Sequence, residues 1–153
     1  MARFSARRRR GTNAPPRAST SRHQERPMTG LSRCRILIVE DEILLSMALE
    51  GMLREEGCEQ FAFAATVEDA LGKVAEWRPD VVILDLNLQG QKSFPVADAL
   101  EDHDIAFVIV SGHSRAIVPE RHQQRPFIGK PFGRDEVVPL VQQLIKRSVR
   151  PLY

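Results

Sequence analysis

The stretch Val81 to Leu88, Val-Val-Ile-Leu-Asp-Leu-Asn-Leu, constrains this chain more than any other. Four apolar residues, three of them β-branched, form a short run that fits a strand buried on both faces, as in the middle of a parallel sheet. Such a strand rejects a charge within its length. Asp85 is therefore expected at its carboxyl end, where an open α/β sheet forms its ligand crevice. The residues that reach the same crevice decide what the carboxylate is for.

The rest of the chain supplies a matching frame. Ile36 to Val39 is a short apolar strand running straight into Glu40, Asp41 and Glu42. Leu45, Leu49, Met52 and Leu53 then recur at helical spacing over Ile43 to Glu56, and Gly57 suits the helix stop. Gln60 to Ala64 reads as a second strand. Thr66, followed by Glu68 and Asp69, is an N-cap for a helix that ends before Pro79, because the residue preceding proline is disfavoured in the α region. Trp77 near its end is a packing anchor.

After the Asp85 strand, Gln89 to Ser93 reads as a loop turning at Gly90, and Val96 to Glu101 as a short helix. Ile105 to Val110 is a fourth strand ending in Ser111-Gly112. His113 to Gln124 is polar and interrupted by Pro119, which leaves room only for a short or irregular helix. Phe127 to Gly129 is a small fifth strand ending in Lys130-Pro131-Phe132. Val137 to Ile145 is the last helix, with Pro139 expected in or near its first turn. Strands alternating with helices predict a doubly wound α/β fold: a five-stranded parallel sheet with helices on both faces.

Charge divides the 153 residues unevenly. Up to Arg33 there are nine arginines, no lysine and one acid, Glu25, a net of +8; the remainder carries 13 basic and 19 acidic residues, a net of −6. Residues 1–33, with little aliphatic content, are expected to form a disordered basic tail. The Arg7 to Arg10 run suits non-specific phosphate contacts, but no aromatic interleaving points to sequence-specific nucleic-acid binding. An upstream extension of the reading frame, with Met28 as the start, is the plainer alternative. No apolar run reaches the roughly 18 residues of a membrane span. No apolar segment follows the arginine run, as an export signal requires. Cys34 and Cys58 read as reduced core thiols, and the expected location is cytoplasmic. Residues 148–153 read as a short C-terminal tail, with no second folded module expected.

In a right-handed parallel sheet the strand ends share one edge. That edge gathers Glu40, Asp41, Asp85, Ser111 and Lys130. Three carboxylates together repel, and a hard divalent cation with oxygen ligands, Mg²⁺, relieves the repulsion. A lysine and a hydroxyl beside it suit an incoming phosphoryl group. The chemistry implied is attack by Asp85 on phosphorus, giving an acyl phosphate.

Val-Glu-Asp-Glu after the first strand, Leu-Asp-Leu-Asn after the third, Ser-Gly after the fourth and Lys-Pro-Phe after the fifth together resemble a bacterial response-regulator receiver domain, over about residues 34–147. The resemblance implies the flavodoxin-like strand order 2-1-3-4-5. It implies Asp85 as phosphoacceptor, Asp41 and Asp85 as direct Mg²⁺ ligands, Glu40 acting through water and Asn87 lending its main-chain carbonyl. Ser111 and Lys130 would each hold a phosphoryl oxygen. Phe127 occupies the switch-aromatic position, though as a residue it reads equally as plain core, and Pro131 resembles a cis-proline. His113 lies near the pocket mouth or on an exposed loop, and Glu42 reads as structural.

The run from Phe94 through Gly112 looks most like stand-alone receivers. The expected function is a single-domain response regulator of a phosphorelay, phosphorylated by a sensor histidine kinase or a histidine phosphotransfer protein and signalling to a downstream protein through a changed surface. Three competing readings are an aspartyl-phosphate phosphatase, a flavodoxin-like cofactor binder and a non-phosphorylated receiver-like adaptor. The phosphatase wants a second Asp where Asn87 stands. The cofactor binder would find the Glu40 to Glu42 cluster repelling its phosphate.

Overall fold

The computed structural model describes residues 30–148. The parallel sheet contains β1 (Arg35–Val39), β2 (Gln60–Ala64), β3 (Val81–Asp85), β6 (Ala106–Ser111) and β7 (Phe127–Gly129), in the order β2-β1-β3-β6-β7. Counted within that sheet, this is the expected order 2-1-3-4-5. β4 (Asn87–Leu88) and β5 (Gln91–Lys92) form a separate antiparallel pair.

Side-chain alternation along the central strands builds two cores. Leu37, Val39, Val82, Leu84, Phe107 and Ile109 point to one face, which is covered by α3 (Val67–Trp77) and α4 (Phe94–Asp102). Ile36, Ile38, Val81, Ile83, Val108 and Val110 point to the other, covered by α2 (Ile43–Glu55) and α5 (Arg134–Ser148). With both faces covered, every residue of β3 is buried, which explains its unbroken apolar run. Thr66 caps α3 as expected, its hydroxyl accepting from the Asp69 N–H at 3.1 Å. Cys34 and Cys58 are free and buried, and burial pushes both thiols up, to about 12 and about 11.

Three local expectations require correction. Gly30–Arg33, assigned to the tail, forms one helical turn, α1, because Leu31 packs on the α2/α5 core and Ser32 is buried. The remaining tail residues, 1–29 and 149–153, lie outside the described residues. The Gln89 to Ser93 loop is instead the turn and second strand of the β4–β5 hairpin. Gln89 and Gly90 both have positive φ, 52° and 81°, as a two-residue hairpin turn of the primed type requires. Pro139 is the sixth residue of α5, not part of its first turn. The Gly133 carbonyl accepts from the Glu136 and Val137 N–H groups and starts the helix early. Pro139 is tolerated there because it is exposed and the carbonyl it leaves unpaired, that of Asp135, belongs to another exposed residue.

Between β6 and β7 the chain makes two 3₁₀ turns, Arg115–Ile117 and Glu120–His122, in place of a regular helix. A polar strap ties this segment to α4. Asp98 accepts from Arg121 Nε at 2.6 Å and is 2.7 Å from Nε2 of the buried His122, while Glu101 accepts from Arg125 Nε at 2.6 Å. His122 also meets Phe107 edge-on. The hydrogen bond from Arg121 holds Asp98 below its ordinary pKa of 3.8, and that from Arg125 holds Glu101 below 4.5.

Asp98→Ala strips a buried histidine of its hydrogen-bond partner and should cost about 1–3 kcal/mol in denaturant unfolding. Asp98 has a lowered folded pKa, so its contribution is present above about pH 4 and lost as pH falls through the lowered value. The gap between wild type and variant should therefore close in acid; an unchanged gap would refute the strap.

Candidate functional site

The strand ends converge as the sequence predicts. Asp85 closes β3 and is 5% exposed; Glu40, just past β1, is equally buried, and Asp41 beside it is half-buried. Lys130, which follows β7, donates from Nζ to Glu40 Oε2 at 2.8 Å and to Asp85 Oδ2 at 3.0 Å. One ammonium thus bridges two buried carboxylates contributed by different strands. Ion pairs of this kind offset the cost of burying charge only when their geometry is tight.

Carboxylate oxygens of Glu40, Asp41 and Asp85 lie within 4.8 Å of one another. Three negative groups face one lysine. The imbalance shows in Glu40, where burial, augmented by the Asp85 charge and only partly countered by Lys130, pushes the pKa from 4.5 to about 7. Asp41 behaves oppositely: burial raises it, but the Gln89 N–H at 2.9 Å and a contact with Glu40 outweigh that and leave it lowered. In Lys130, burial is outweighed by the bonds to Glu40 and Asp85, and its pKa is raised. Hard oxygen donors in excess of local positive charge make this cluster fit a divalent cation such as Mg²⁺.

The β4–β5 hairpin lies over these acids. The Asn87 N–H donates to Asp85 Oδ1 at 3.2 Å, while the Gln89 N–H holds Asp41. Ser111, 1% exposed, ends β6 one residue beyond Val110, the partner of Asp85. Its Oγ accepts from the His113 N–H at 3.0 Å, and its carbonyl accepts from the Lys130 N–H at 2.8 Å. Its hydroxyl therefore holds the turn that follows β6. His113 itself is exposed.

Phe127 is half-buried on β7 against the α3/α4 core, with the Arg115 guanidinium 5.9 Å above its ring. The Lys130–Pro131 bond is cis. Glu42 N-caps α2 without a side-chain cap, and its own N–H donates to Glu40 Oε1 at 3.0 Å. Ser93 was missed as a contributor. In sequence it reads as the end of the Gln89 to Ser93 loop; it instead precedes α4, and its hydroxyl donates to the Asp85 carbonyl at 2.5 Å.

Residues 36–142 match the family described as the response regulator receiver domain. The solution structure of SdrG from Sphingomonas melonis Fr1 superposes with a TM-score of 0.66 at 41% identity, covering 77% of this chain and 99% of that one. The receiver domain of PhyR from Erythrobacter litoralis gives 0.65 at 26% identity, covering 78% and 95%. Among curated proteins, the transcriptional regulatory protein PdtaR of Mycobacterium tuberculosis is 30% identical over 117 residues. The match takes in 74% of this chain but only 57% of PdtaR, so the chain spans little more than half of that relative.

Glu40 stabilises the metal-free fold when protonated, because its folded pKa lies above its ordinary one. That contribution is full below about pH 4.5 and is lost as pH rises through about 7. In EDTA, thermal melts between about pH 5 and pH 8 should show wild type losing stability relative to Glu40→Gln, which has no proton to lose. A pH-independent difference would contradict the crowded-acid description.

Proposed function

The chain belongs to the response regulator receiver family, and we propose that Asp85 accepts a phosphoryl group from a phosphohistidine on a sensor histidine kinase or histidine phosphotransfer protein. The observation that carries this is the Lys130 ammonium bridging Glu40 and Asp85 beside Asp41. Receivers are phosphoacceptor signalling domains rather than enzymes turning over a separate substrate.

An Asp85 carboxylate oxygen forms the new P–O bond as the P–N bond breaks, and the imidazole nitrogen leaves with the bonding pair and takes up a proton from solvent. Lys130 sits against Asp85 and, in this reading, transfers one of its bonds to a phosphoryl oxygen as charge builds there. Ser111 offers its hydroxyl to another. Mg²⁺, when held by Asp41, Asp85 and the Asn87 carbonyl, with Glu40 acting through water, supplies the remaining positive charge. Movement of Ser111 toward the phosphoryl group would open space for Phe127 to turn inward, displacing Arg115 from its ring.

The donor must approach from the crevice rim, and the rim is apolar. Ile43 and Met47 on α2 are 76% and 60% exposed, and with Phe63 they flank a groove that includes Glu40 and Asp41; Leu44 beside them is 81% exposed. An apolar helical surface bearing the phosphohistidine suits that rim.

We assign the phosphoacceptor domain to residues 30–148, which include the α1 turn and the whole of α5, with the arginine-rich residues 1–29 making at most non-specific nucleic-acid contacts. Its output is a phosphorylation-dependent surface read by a downstream protein, as in a single-domain regulator. Free, buried Cys34 and Cys58 accord with a cytoplasmic setting. No described helix is long and apolar enough to cross a membrane.

Incubation with Mg²⁺ and phosphoramidate should add about 80 Da to wild type, as one phosphoryl group requires, and nothing to Asp85→Ala. Lys130→Ala should slow the gain on the order of 100-fold, the scale for loss of one preorganised donor. Absence of any gain on wild type would favour a non-phosphorylated adaptor and overturn the proposal.

A further inference from the structure

Ser93 stands at the start of α4, where a serine ordinarily turns its hydroxyl forward to accept a hydrogen bond from the first turn of its own helix. It makes no such bond. Its Oγ donates backward to the main-chain carbonyl of Asp85 at 2.5 Å, its N–H donates to the Leu86 carbonyl at 2.9 Å, and its own carbonyl accepts from Val96 and Ala97. The residue is fully buried, at 0% exposure. A buried hydroxyl that gives up its cap is committed to what it holds.

What it holds is the base of the β4–β5 hairpin. Asp85 and Leu86 enter the hairpin and Ser93 leaves it, so the two bonds from Ser93 close it into a loop anchored at the phosphoacceptor's own peptide. From that loop the Asn87 N–H reaches the Asp85 carboxylate and the Gln89 N–H reaches that of Asp41. Gln89 does so from a left-handed conformation that a non-glycine residue adopts only when its surroundings enforce it. The expected metal-contacting carbonyl, that of Asn87, is in the same loop.

We propose that Ser93 is a positioning residue of the phosphoacceptor site: its hydroxyl locks the hairpin so that Asp41, Asp85 and the Asn87 carbonyl are preorganised for a divalent cation. This rests on the reading of Asp41 and Asp85 as the Mg²⁺ ligands. Groups that orient metal ligands without touching the metal typically govern affinity by about 10- to 100-fold. Ser93 acts through the main chain, which is why its substitution should change affinity without altering the charge of the site.

The test uses the full chain as wild type, Ser93→Ala, Ser93→Cys, Ser93→Thr and Val74→Ala, the last removing methyl groups from the same core layer on α3. Two quantities are measured: the Mg²⁺ dissociation constant by calorimetry, and amide hydrogen exchange at Asn87 and Gln89 in EDTA. Ser93→Ala should weaken Mg²⁺ binding roughly 10-fold and speed exchange at both amides. Ser93→Thr should restore both, and Val74→Ala should lower melting temperature while leaving both as in wild type. Should the alanine variant fail to fold, the near-isosteric Ser93→Cys, a weak donor, must show the same two changes. Wild-type values in the variant lacking the hydroxyl, or equal losses in Val74→Ala, would overturn the inference. If wild type binds no Mg²⁺, the underlying site reading falls and this inference with it.

Discussion

The bridge made by Lys130 between Glu40 and Asp85 is the interaction around which the molecule is arranged. Glu40 and Asp85 are both nearly excluded from water, and removing a partner from buried charges costs far more than an exposed ion pair gains. The three groups come from β1, β3 and β7 ends, 45 and 90 residues apart from Lys130 in sequence. Only a parallel sheet with all carboxyl ends on one edge brings them together, so the fold and the site are a single constraint. The bridge remains incomplete as electrostatics, because Asp41 adds a third acid and Glu40 is driven up to about 7. The site stores a demand for positive charge that both Mg²⁺ and the lysine can meet.

Around that centre, two devices control position. The hairpin over the crevice supplies main-chain N–H groups to Asp85 and Asp41, and Ser93 anchors it. On the other side, the segment linking Ser111 to Lys130 is strapped to α4 through Asp98 and Glu101. Both residues that would grip a phosphoryl group flank this strapped segment, so it lies where a change at Asp85 would first be felt. Arg115, over Phe127 and bonded to the Arg125 carbonyl at 3.0 Å, joins the segment to the aromatic on β7.

The parts visible in sequence are those with a periodic or terminal signal. β2 and β7 begin and end where their apolar runs do, Thr66 caps α3, and every proposed crevice acid lies at a strand end because burial forbids it elsewhere. The parts missed lacked such a signal. β4 and β5 are two residues each, too short for alternation, and their turn is Gln-Gly rather than the usual Asn-Gly. Ser93 reads as the end of a loop because composition does not reveal that α4 starts at Phe94 or that the serine hydroxyl turns back to the preceding strand. Pro139 suggested a late start for α5, whereas solvent exposure lets proline sit within the helix. The Asp98–His122 contact joins residues 24 apart across a non-helical segment, and no local pattern announces it.

The central claim is that Asp85, and no neighbouring acid, carries the phosphoryl group. Borohydride reduction of the phosphorylated protein followed by peptide mass mapping tests this directly, because an acyl phosphate is reduced to the alcohol while free carboxylates are untouched. Homoserine is expected at position 85 alone, with Glu40 and Asp41 unchanged. Reduction at Glu40 or Asp41, or no reduced residue in protein shown to be phosphorylated, would contradict it.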